Sequence, residues 1–238
     1  MMGRSLIHAI LGRKRRLSRG SGTLNDACSE FEVNNWDISQ FVIDTLVPVV
    51  GVLPFPLNEQ MLMVAAVARL RPTHIFEWGT NIGASARIFY EACRALGMDT
   101  EIHSTDLPDD ADHAEHPREK RGRLVRTIPQ VRLHLGDGLD TSLAILSHGR
   151  DRAPKPLFFV DGDHAYDSVR RELAGIGDAA PEAAILLHDT FYQSGGAGYN
   201  VGPHRAVSEF VGARGGYRVI SQNLGLPGMT LLWREFPA

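Results

Sequence analysis

The sequence predicts an α/β fold, a doubly wound and mostly parallel seven-stranded sheet whose last strand is antiparallel. From residue 74 onward, strand-like segments alternate with helix-like segments, which is the pattern of a parallel sheet with crossover helices. Two segments, 157–160 and 184–187, are entirely apolar, as strands buried on both faces are. The last two, 217–221 and 229–234, are joined by a link too short for a parallel crossover, so we expect them to be antiparallel.

Composition places the chain among ordinary globular proteins. Its 238 residues are 43% hydrophobic and 22% charged, which is enough to bury a full core. The formal net charge is −3, but residues 1–20 hold six basic residues and no acid, so the remainder carries −9 and is not expected to bind nucleic acid. Cys28 and Cys93 are too few for a disulfide framework, and no apolar run approaches the roughly 18 residues of a membrane span. We therefore expect a cytoplasmic protein.

Three segments are expected along the chain. Residues 1–23 are basic and contain several glycines, and we interpret them as a flexible arm. Residues 24–72 mix acids, aromatic residues and prolines without a clear period, and they end in a predicted helix over 59–70 with Asn58 as its N-cap. This segment is expected to pack as a cap on a domain formed by residues 73–238.

The first strand-turn-helix unit of that domain predicts a ligand-binding loop. Gly79 and Gly83 separate a strand that ends at Glu77 from a helix expected over residues 84–96. Glycine admits the positive φ and the close ligand approach that such a turn requires. The helix would direct its free N–H groups and the positive end of its dipole at the ligand.

The spacing of this loop favours an amino acid over a dinucleotide. Its Glu-x-Gly-x-x-x-Gly pattern lacks the Gly-x-Gly-x-x-Gly arrangement that admits a pyrophosphate, and the acid would repel a phosphate. A zwitterion such as the methionine end of S-adenosylmethionine fits better, with its ammonium near the acid and its carboxylate at the helix N-terminus. A purely structural turn is the alternative. The expected cofactor contacts in the loop are Glu77, Gly79, Thr80, Asn81, Gly83 and Ser85.

Two further acids follow predicted strands. Asp106 ends the strand that begins at residue 101, beside the first strand, where a carboxylate can accept both hydroxyls of a ribose. The alternative is a loop aspartate that opens a turn. Asp137 follows the strand 131–135, where it could take the exocyclic amine of adenine or cap the helix expected over 139–147.

The two apolar strands end in a cluster of ionisable residues. The first is followed by Asp161, Asp163 and His164, and the second by His188 and Asp189. Because neighbouring parallel strands end at the same edge of a sheet, up to five such side chains meet there and must be paired, metal-bound or catalytic. A satisfied salt-bridge network is the structural alternative.

Together these motifs resemble those of the class I S-adenosylmethionine-dependent methyltransferases. Within that superfamily the chain is similar to the small metal-dependent O-methyltransferases, including those that modify macrolide and aminocoumarin sugars and the cephalosporin-hydroxylase-like group. The resemblance extends over residues 58–236. It rests on Glu77-x-Gly79-x-x-x-Gly83, Asp106, Asp137, the run Phe-Phe-Val-Asp-Gly-Asp-His-Ala-Tyr at 158–166 and the run Leu-His-Asp-Thr at 187–190.

The resemblance implies roles for the ionisable cluster. In such relatives, the first acid of the Asp-Gly-Asp run and an acidic pair after the next strand hold a divalent cation. Asp161, a cofactor contact as well, and Asp189 would then be metal ligands, with His188 in place of the first acid of the pair. Either His164 or Asp163 would be the general base. His188 departs from the family pattern, and an imidazole ligand shifts the preference from Mg²⁺ toward Mn²⁺, Fe²⁺, Co²⁺ or Zn²⁺. A metal-free site in which His188 only forms hydrogen bonds also stays open.

The activity so implied is methylation of a small-molecule hydroxyl, such as that of a natural-product sugar. Residues 191–202, rich in glycine and aromatic residues, would form a substrate loop ahead of a helix expected over 203–211. Two other classes stay open, a metal-dependent hydrolase that uses the same cluster and a non-catalytic S-adenosylmethionine-binding module. The identity of the acceptor and the oligomeric state, a homo-oligomer included, are not determined by the sequence.

Overall fold

The computed structural model describes residues 17, 30–113, 117–148, 154–197 and 200–234. The predicted basic arm, residues 1–23, lies outside the described residues apart from Leu17, which is buried. None of the helices in the described part of the chain combines the length and the hydropathy that crossing a bilayer requires.

Seven strands form one sheet at the centre of the protein. They are β1 (His74–Trp78), β2 (Glu101–Asp106), β3 (Val131–Leu135), β4 (Pro156–Val160), β5 (Ala184–His188), β6 (Arg218–Gln222) and β7 (Met229–Trp233). Their order across the sheet is β3-β2-β1-β4-β5-β7-β6. Strand β7 pairs antiparallel with β5 and with β6, and the other neighbouring strands pair in parallel. The predicted fold class is thus confirmed, including the antiparallel last strand.

Helices cover both faces of the sheet. In chain order they are α1 (Asn35–Phe41), α2 (Val47–Val50), α3 (Leu57–Leu70), α4 (Ala84–Ala95), α5 (Gly138–His148), α6 (Tyr166–Ala179) and α7 (Val201–Arg214). A π-helical turn, Val42–Leu46, joins α1 to α2, and a short 3₁₀ helix, Arg118–Lys120, lies between β2 and β3.

The two faces of the sheet have separate apolar cores, because successive side chains of a strand point to opposite faces. Ile75 and Phe159 belong to the core shared with α1, α3 and α4, whereas Phe76 and Phe158 belong to the core shared with α5, α6 and α7. The chain therefore leaves β1 toward one face and β4 toward the other, although the two strands are neighbours. A crevice opens at such a point in α/β sheets, and ligands bind there.

The cap segment contains more helix than its sequence predicts. The chain is helical from residue 35 to residue 50, and Ile38, Phe41, Val42 and Leu46 bury one face of that helix in the first core. The π-helical turn widens one turn of the helix. This interrupts the 3.6-residue period by which a helix is detected in a sequence.

The bounds of two predicted helices were wrong. Helix α3 begins at Leu57 rather than at Glu59, and the extended Pro56 is its N-cap, because its carbonyl oxygen accepts the N–H groups of Glu59 and Gln60. Asn58, predicted as the cap, therefore lies inside the first turn. Helix α7 likewise begins at residue 201 and runs to residue 214, beyond both ends of the prediction.

Candidate functional site

The loop after β1 requires glycine at both predicted positions. Gly79 has φ +94°, and a Cβ atom there would lie 2.1 Å from the carbonyl oxygen of Asp161. Gly83 has φ +86° and is the N-cap of α4, where a Cβ would lie 2.8 Å from a side-chain carbon of Val125. The loop thus brings the N-terminus of α4 to the carboxyl end of β1, directly against the first residue after β4.

Behind this loop, Glu77 is buried within the sheet. Its Oε1 accepts the hydroxyl of Ser104 at 2.6 Å, and the Ser104 oxygen lies 2.6 Å from the hydroxyl of Thr80. Burial raises the pKa of Glu77 to about 8, although hydrogen bonds from Ser104 and Ser85 oppose the rise. The carboxyl group is therefore largely protonated at neutral pH, and a cation brought next to it would favour its ionised form.

Asp106 stands at the carboxyl end of β2, as predicted, beside the same loop. Its Oδ2 accepts the main-chain N–H of Asn81 at 3.0 Å, and its Oδ1 accepts that of Leu107 at 2.8 Å. The Nε atom of Arg121 lies 3.5 Å from Oδ2. The carboxylate thus shapes the glycine loop, and a role in holding a ribose stays a prediction.

Asp137 follows β3 and caps the next helix. Its Oδ1 accepts the N–H of Asp140 at 2.9 Å, and its Oδ2 pairs with Arg171 at 2.8 Å. The hydrogen bond from Arg171 holds the pKa of Asp137 below its usual value. Of the two alternatives raised by the sequence, the N-cap is present in the structure, and a contact with adenine stays a prediction.

The side chains that follow β4 and β5 meet at the edge of the sheet. The Nδ1 atom of His188 lies 2.9 Å from Oδ1 of Asp161 and 3.3 Å from Oδ2 of Asp189. The Nε2 atom of His164 lies 3.0 Å from Oδ2 of Asp189 and 3.9 Å from Oδ1 of Asp161. Two imidazoles and two carboxylates thus share one centre, as the adjacency of the two strands led us to expect.

Asp189 occupies the middle of this centre in an unusual backbone conformation. Its φ is +57°, in the left-handed region that few residues other than glycine enter, and its side chain is buried. Burial alone would raise its pKa, but hydrogen bonds to His164 and His188 hold the pKa of Asp189 far below its usual value. In turn, its hydrogen bond raises the pKa of His164 above the ordinary value. The pair is therefore an ionised carboxylate beside a basic imidazole.

Among the described residues, Asp161, His164 and Asp189 form a group that could hold a cation. Each offers one ligand atom, and these atoms lie within 4.8 Å of one another. The imidazole in this group is His164, and not His188 as the resemblance implied. Both ring nitrogens of His188 face carboxylates, so it is placed to form hydrogen bonds to the acids, and a ligand role for it stays a prediction.

Asp163, the second candidate base, forms its hydrogen bonds outside this centre. Its Oδ1 accepts the N–H of Ala165 at 2.9 Å, and its Oδ2 accepts the hydroxyl of Ser168 at 2.5 Å. Hydrogen bonding to Ser168 holds the pKa of Asp163 below its usual value. This geometry favours a role at the start of α6 and leaves His164 as the stronger candidate for a base.

Two residues of the cap segment also reach the centre, and the sequence analysis did not identify either. Glu59 lies 3.0 Å from Nε2 of His188, and the ring of Phe55 packs edge-on against the His188 ring at 4.8 Å. The amide of Gln60 holds this part of the cap by donating to the carbonyls of Gly51 and Phe55. The available signal was an acidic residue, Glu59, within a predicted amphipathic helix. The sequence pattern of the helix does not reveal which residue pairs with that acid.

The segment after β5 borders the same centre. A Cβ atom at Gly202 would lie 2.4 Å from the carbonyl oxygen of His164, so the start of α7 packs on the loop after β4. The side chain of Asn200 donates to the carbonyl of Pro227 at 2.6 Å. Residues 198 and 199 of the predicted substrate loop lie outside the described residues. The end of the loop, at Gly202, contacts the loop after β4, and a role of this segment in substrate binding stays a prediction.

Comparison with known proteins agrees with this geometry. Residues 76–190 match the family model described as a methyltransferase domain. An uncharacterized protein, y4gI of Sinorhizobium fredii (strain NBRC 101917 / NGR234), is 28% identical over 133 residues. That match spans 56% of this chain but only 15% of the length of the relative.

Solved methyltransferase structures share the fold. An O-methyltransferase from Bacillus cereus, in complex with SAH, superposes with a TM-score of 0.55 at 16% identity and covers 88% of this chain and 94% of its own. The O-methyltransferase TomG of Streptomyces achromogenes, in complex with SAM, has a TM-score of 0.51 at 18% identity over 85% of this chain and 90% of its own. The SAH-bound methyltransferase PaMTH1 of Podospora anserina has a TM-score of 0.52 at 16% identity over 96% and 94%. Residues 76–190 therefore match a methyltransferase domain, and the sheet order is that of the class I S-adenosylmethionine-dependent methyltransferase fold.

Proposed function

We propose that this protein transfers the methyl group of S-adenosylmethionine to a hydroxyl oxygen of a small molecule, such as a natural-product sugar. The observation that carries the proposal is the contact between His164 and Asp189, 3.0 Å apart, next to a loop suited to the cofactor. The loop and the base are adjoining because Gly79 packs against Asp161. A methyl donor at the loop and a hydroxyl at His164 would therefore be neighbours.

In the reaction, the bond between the methyl carbon and the sulfonium sulfur breaks as a bond from the acceptor oxygen to that carbon forms. S-adenosylhomocysteine leaves as a neutral thioether, and the hydroxyl proton passes to the imidazole of His164. The carboxylate of Asp189 orients that imidazole and stabilises its protonated form, an arrangement that general-base catalysis requires. The remaining contribution of the protein is to align oxygen, methyl carbon and sulfur.

The cofactor is proposed to lie along the carboxyl ends of β1, β2 and β3. Its carboxylate would meet the N-terminus of α4. Its ammonium would lie near Glu77, where it would favour the ionised form of that buried carboxyl. Asp106 would accept the ribose hydroxyls, and Asp137 would lie near the adenine. The loop residues Thr80, Asn81 and Ser85 would complete these contacts.

The ionisable centre also fits a divalent cation, since two carboxylates and an imidazole converge in it. Asp161, His164 and Asp189 would hold the cation, for which we propose Mg²⁺ or Mn²⁺, and the imidazole would shift the preference from Mg²⁺ toward Mn²⁺. When bound, a cation supplies Lewis-acid stabilisation of a deprotonated hydroxyl. A cation bound at Nε2 of His164 would displace the proton that this nitrogen shares with Asp189 in the base role, so the two roles of His164 are distinguishable by experiment.

The test begins with calorimetric titration of S-adenosylmethionine into the metal-stripped protein, with and without Mn²⁺. Binding in the micromolar range is expected, followed by formation of S-adenosylhomocysteine with sugar and phenol acceptors. His164→Gln should lower the rate by about 10²-fold or more at unchanged cofactor affinity, whereas His148→Gln, at an exposed histidine, should not. A folded protein that binds no S-adenosylmethionine would contradict the proposal.

Metal dependence separates the two roles of His164. If it is the base, activity should persist after treatment with a chelator. If it is a metal ligand, chelation should abolish activity, and both Mn²⁺ affinity and activity should fall together in Asp161→Asn and His164→Gln. Release of product from an ester or amide without S-adenosylmethionine would instead support a metal-dependent hydrolase.

A further inference from the structure

A buried carboxylate from outside the sheet reaches the candidate site. Glu59, on α3, is 1% exposed, and its two carboxylate oxygens have different partners. Oε2 lies 3.0 Å from Nε2 of His188, and Oε1 accepts the main-chain N–H of Gly228 at 2.8 Å. A buried carboxylate is tolerated only where such partners satisfy it.

The contact with Glu59 determines which edge of the His188 ring faces the site. Oε1 of Glu59 already accepts a main-chain N–H, and the contact of Oε2 is with Nε2 of His188, which we assign as the donor in the proposed arrangement. The opposite nitrogen, Nδ1, then points at Oδ1 of Asp161, 2.9 Å away, and at Oδ2 of Asp189, 3.3 Å away. The edge-on ring of Phe55 leaves little room for the imidazole to turn.

We propose that Glu59 is a positioning residue for methyl transfer, acting through His188 on the carboxylates of Asp161 and Asp189. This inference rests on the proposed function for its catalytic consequence. Asp189 is also the partner of His164, so a continuous line of contacts runs from Glu59 to the candidate base. Residues that hydrogen-bond to the groups in contact with the reacting atoms orient those groups. The loss of such a residue commonly lowers activity or ligand affinity.

This arrangement explains how a histidine is accommodated where the resembling family has an acid. A carboxylate at position 188 would face Glu59, Asp161 and Asp189 without an intervening proton donor. The imidazole instead lies between these acceptors and donates to them. Glu59 and His188 are therefore a matched pair, and the pair ties the cap segment to the catalytic edge of the sheet.

Glu59 also accepts the main-chain N–H of Gly228, so a test must separate its effect on the position of His188 from its effect on the stability of the fold. The variants are Glu59→Gln, which keeps the size of the side chain, His188→Asn, and the double variant. The matched control is Glu91→Gln on α4, which removes another buried carboxylate, one that is paired with Arg87 and Arg94 away from the site. Thermal unfolding and S-adenosylmethionine affinity of each variant report whether the fold and the cofactor loop are intact.

The first readout is the imidazole N–H signal of His188 in ¹⁵N-labelled protein, assigned by its absence in His188→Asn. We expect a slowly exchanging Nε2–H signal that shifts or broadens in Glu59→Gln and is unchanged in Glu91→Gln. The same signal in wild type and Glu59→Gln would overturn the proposal. This measurement requires neither cofactor nor acceptor, so its result is independent of the proposed function.

The second readout is a double-mutant cycle on the rate of S-adenosylhomocysteine formation at saturating S-adenosylmethionine. Glu59→Gln should lower kcat by tenfold or more in the wild-type background, with a cofactor Kd within twofold. In the His188→Asn background, the same change should alter kcat by less than twofold. An equal factor in both backgrounds would show that Glu59 acts through Gly228 or through its charge alone, and would overturn the proposal. Absence of cofactor binding by the wild type would count against the proposed function instead.

Discussion

The main-chain carbonyl oxygen of Asp161 lies 2.1 Å from the position that a Cβ atom would take at Gly79. No side chain fits between the two, so the loop after β1 and the loop after β4 are in direct contact. This contact holds the candidate cofactor loop against the ionisable centre. Methyl transfer requires that proximity, because the donor carbon and the acceptor oxygen must meet within a few ångströms.

Replacing Gly79 with alanine should therefore separate the two loops. We expect Gly79→Ala to abolish binding of S-adenosylmethionine in calorimetry and to destabilise the fold by more than about 2 kcal/mol, from both the clash and the positive φ. Gly97→Ala is the matched control, because Gly97 also has a positive φ, +63°, but a Cβ there meets nothing within 4 Å. The control should lose only about 1 kcal/mol and should bind the cofactor normally. Equal behaviour of the two variants would show that the contact with Asp161 is unimportant.

Glu77 should release a proton when the cofactor binds. Its pKa is about 8 in the free protein because the group is buried, so the carboxyl is mostly protonated at pH 6.5. An ammonium placed beside it favours the carboxylate, and the proton is then lost to the buffer. Calorimetry in two buffers of different ionisation enthalpy should detect this proton in the wild type and not in Glu77→Gln. The same proton release in both proteins would place the ammonium elsewhere.

Asp106 should contribute to cofactor affinity through its charge. We expect Asp106→Asn to weaken S-adenosylmethionine binding by roughly 10- to 100-fold, the effect of losing charge-assisted hydrogen bonds of about 1.5–3 kcal/mol. Asp109→Asn is the control, since Asp109 pairs with the same arginine, Arg121, but is exposed. Its affinity should stay within a factor of about two of the wild type. A comparable loss in both variants would assign the effect to Arg121 rather than to a ribose contact.

Glu172, on α6, should make the protein less stable at high pH. Burial raises its pKa from 4.5 to about 7, so the folded state holds a proton that the unfolded state has already lost. The stability from this proton is fully present below pH 4.5 and is lost as the pH rises through 7. Between pH 5 and pH 8 the free energy of unfolding should fall by roughly 2–3 kcal/mol more in the wild type than in Glu172→Gln. Denaturant unfolding at several pH values measures this, and the exposed Glu182→Gln should follow the wild type.

The elements of the sheet were predictable because their signals are local. Strand β3, Val131–Leu135, was predicted at its observed bounds, and the apolar runs that became β4 and β5 were recognised from composition alone. Parallel pairing of β4 with β5 then brings His164 and Asp189 together without further information. The helix of the cap was missed because its π-helical turn breaks the period on which recognition depends.

The sequence by itself determined the fold class, the glycine loop and the edge of the sheet at which the ionisable residues gather. Periodicity, apolar runs and glycine spacing are properties of neighbouring residues, and the adjacency of strands follows from them. Only the tertiary structure decided which charged group pairs with which. Glu59 and His188 are 129 residues apart, and their contact depends on how α3 crosses the end of β5. The role of a buried charged group depends on the groups that it hydrogen-bonds to. The candidate roles of His188, Asp163 and Asp137 could therefore be compared only once those partners were known.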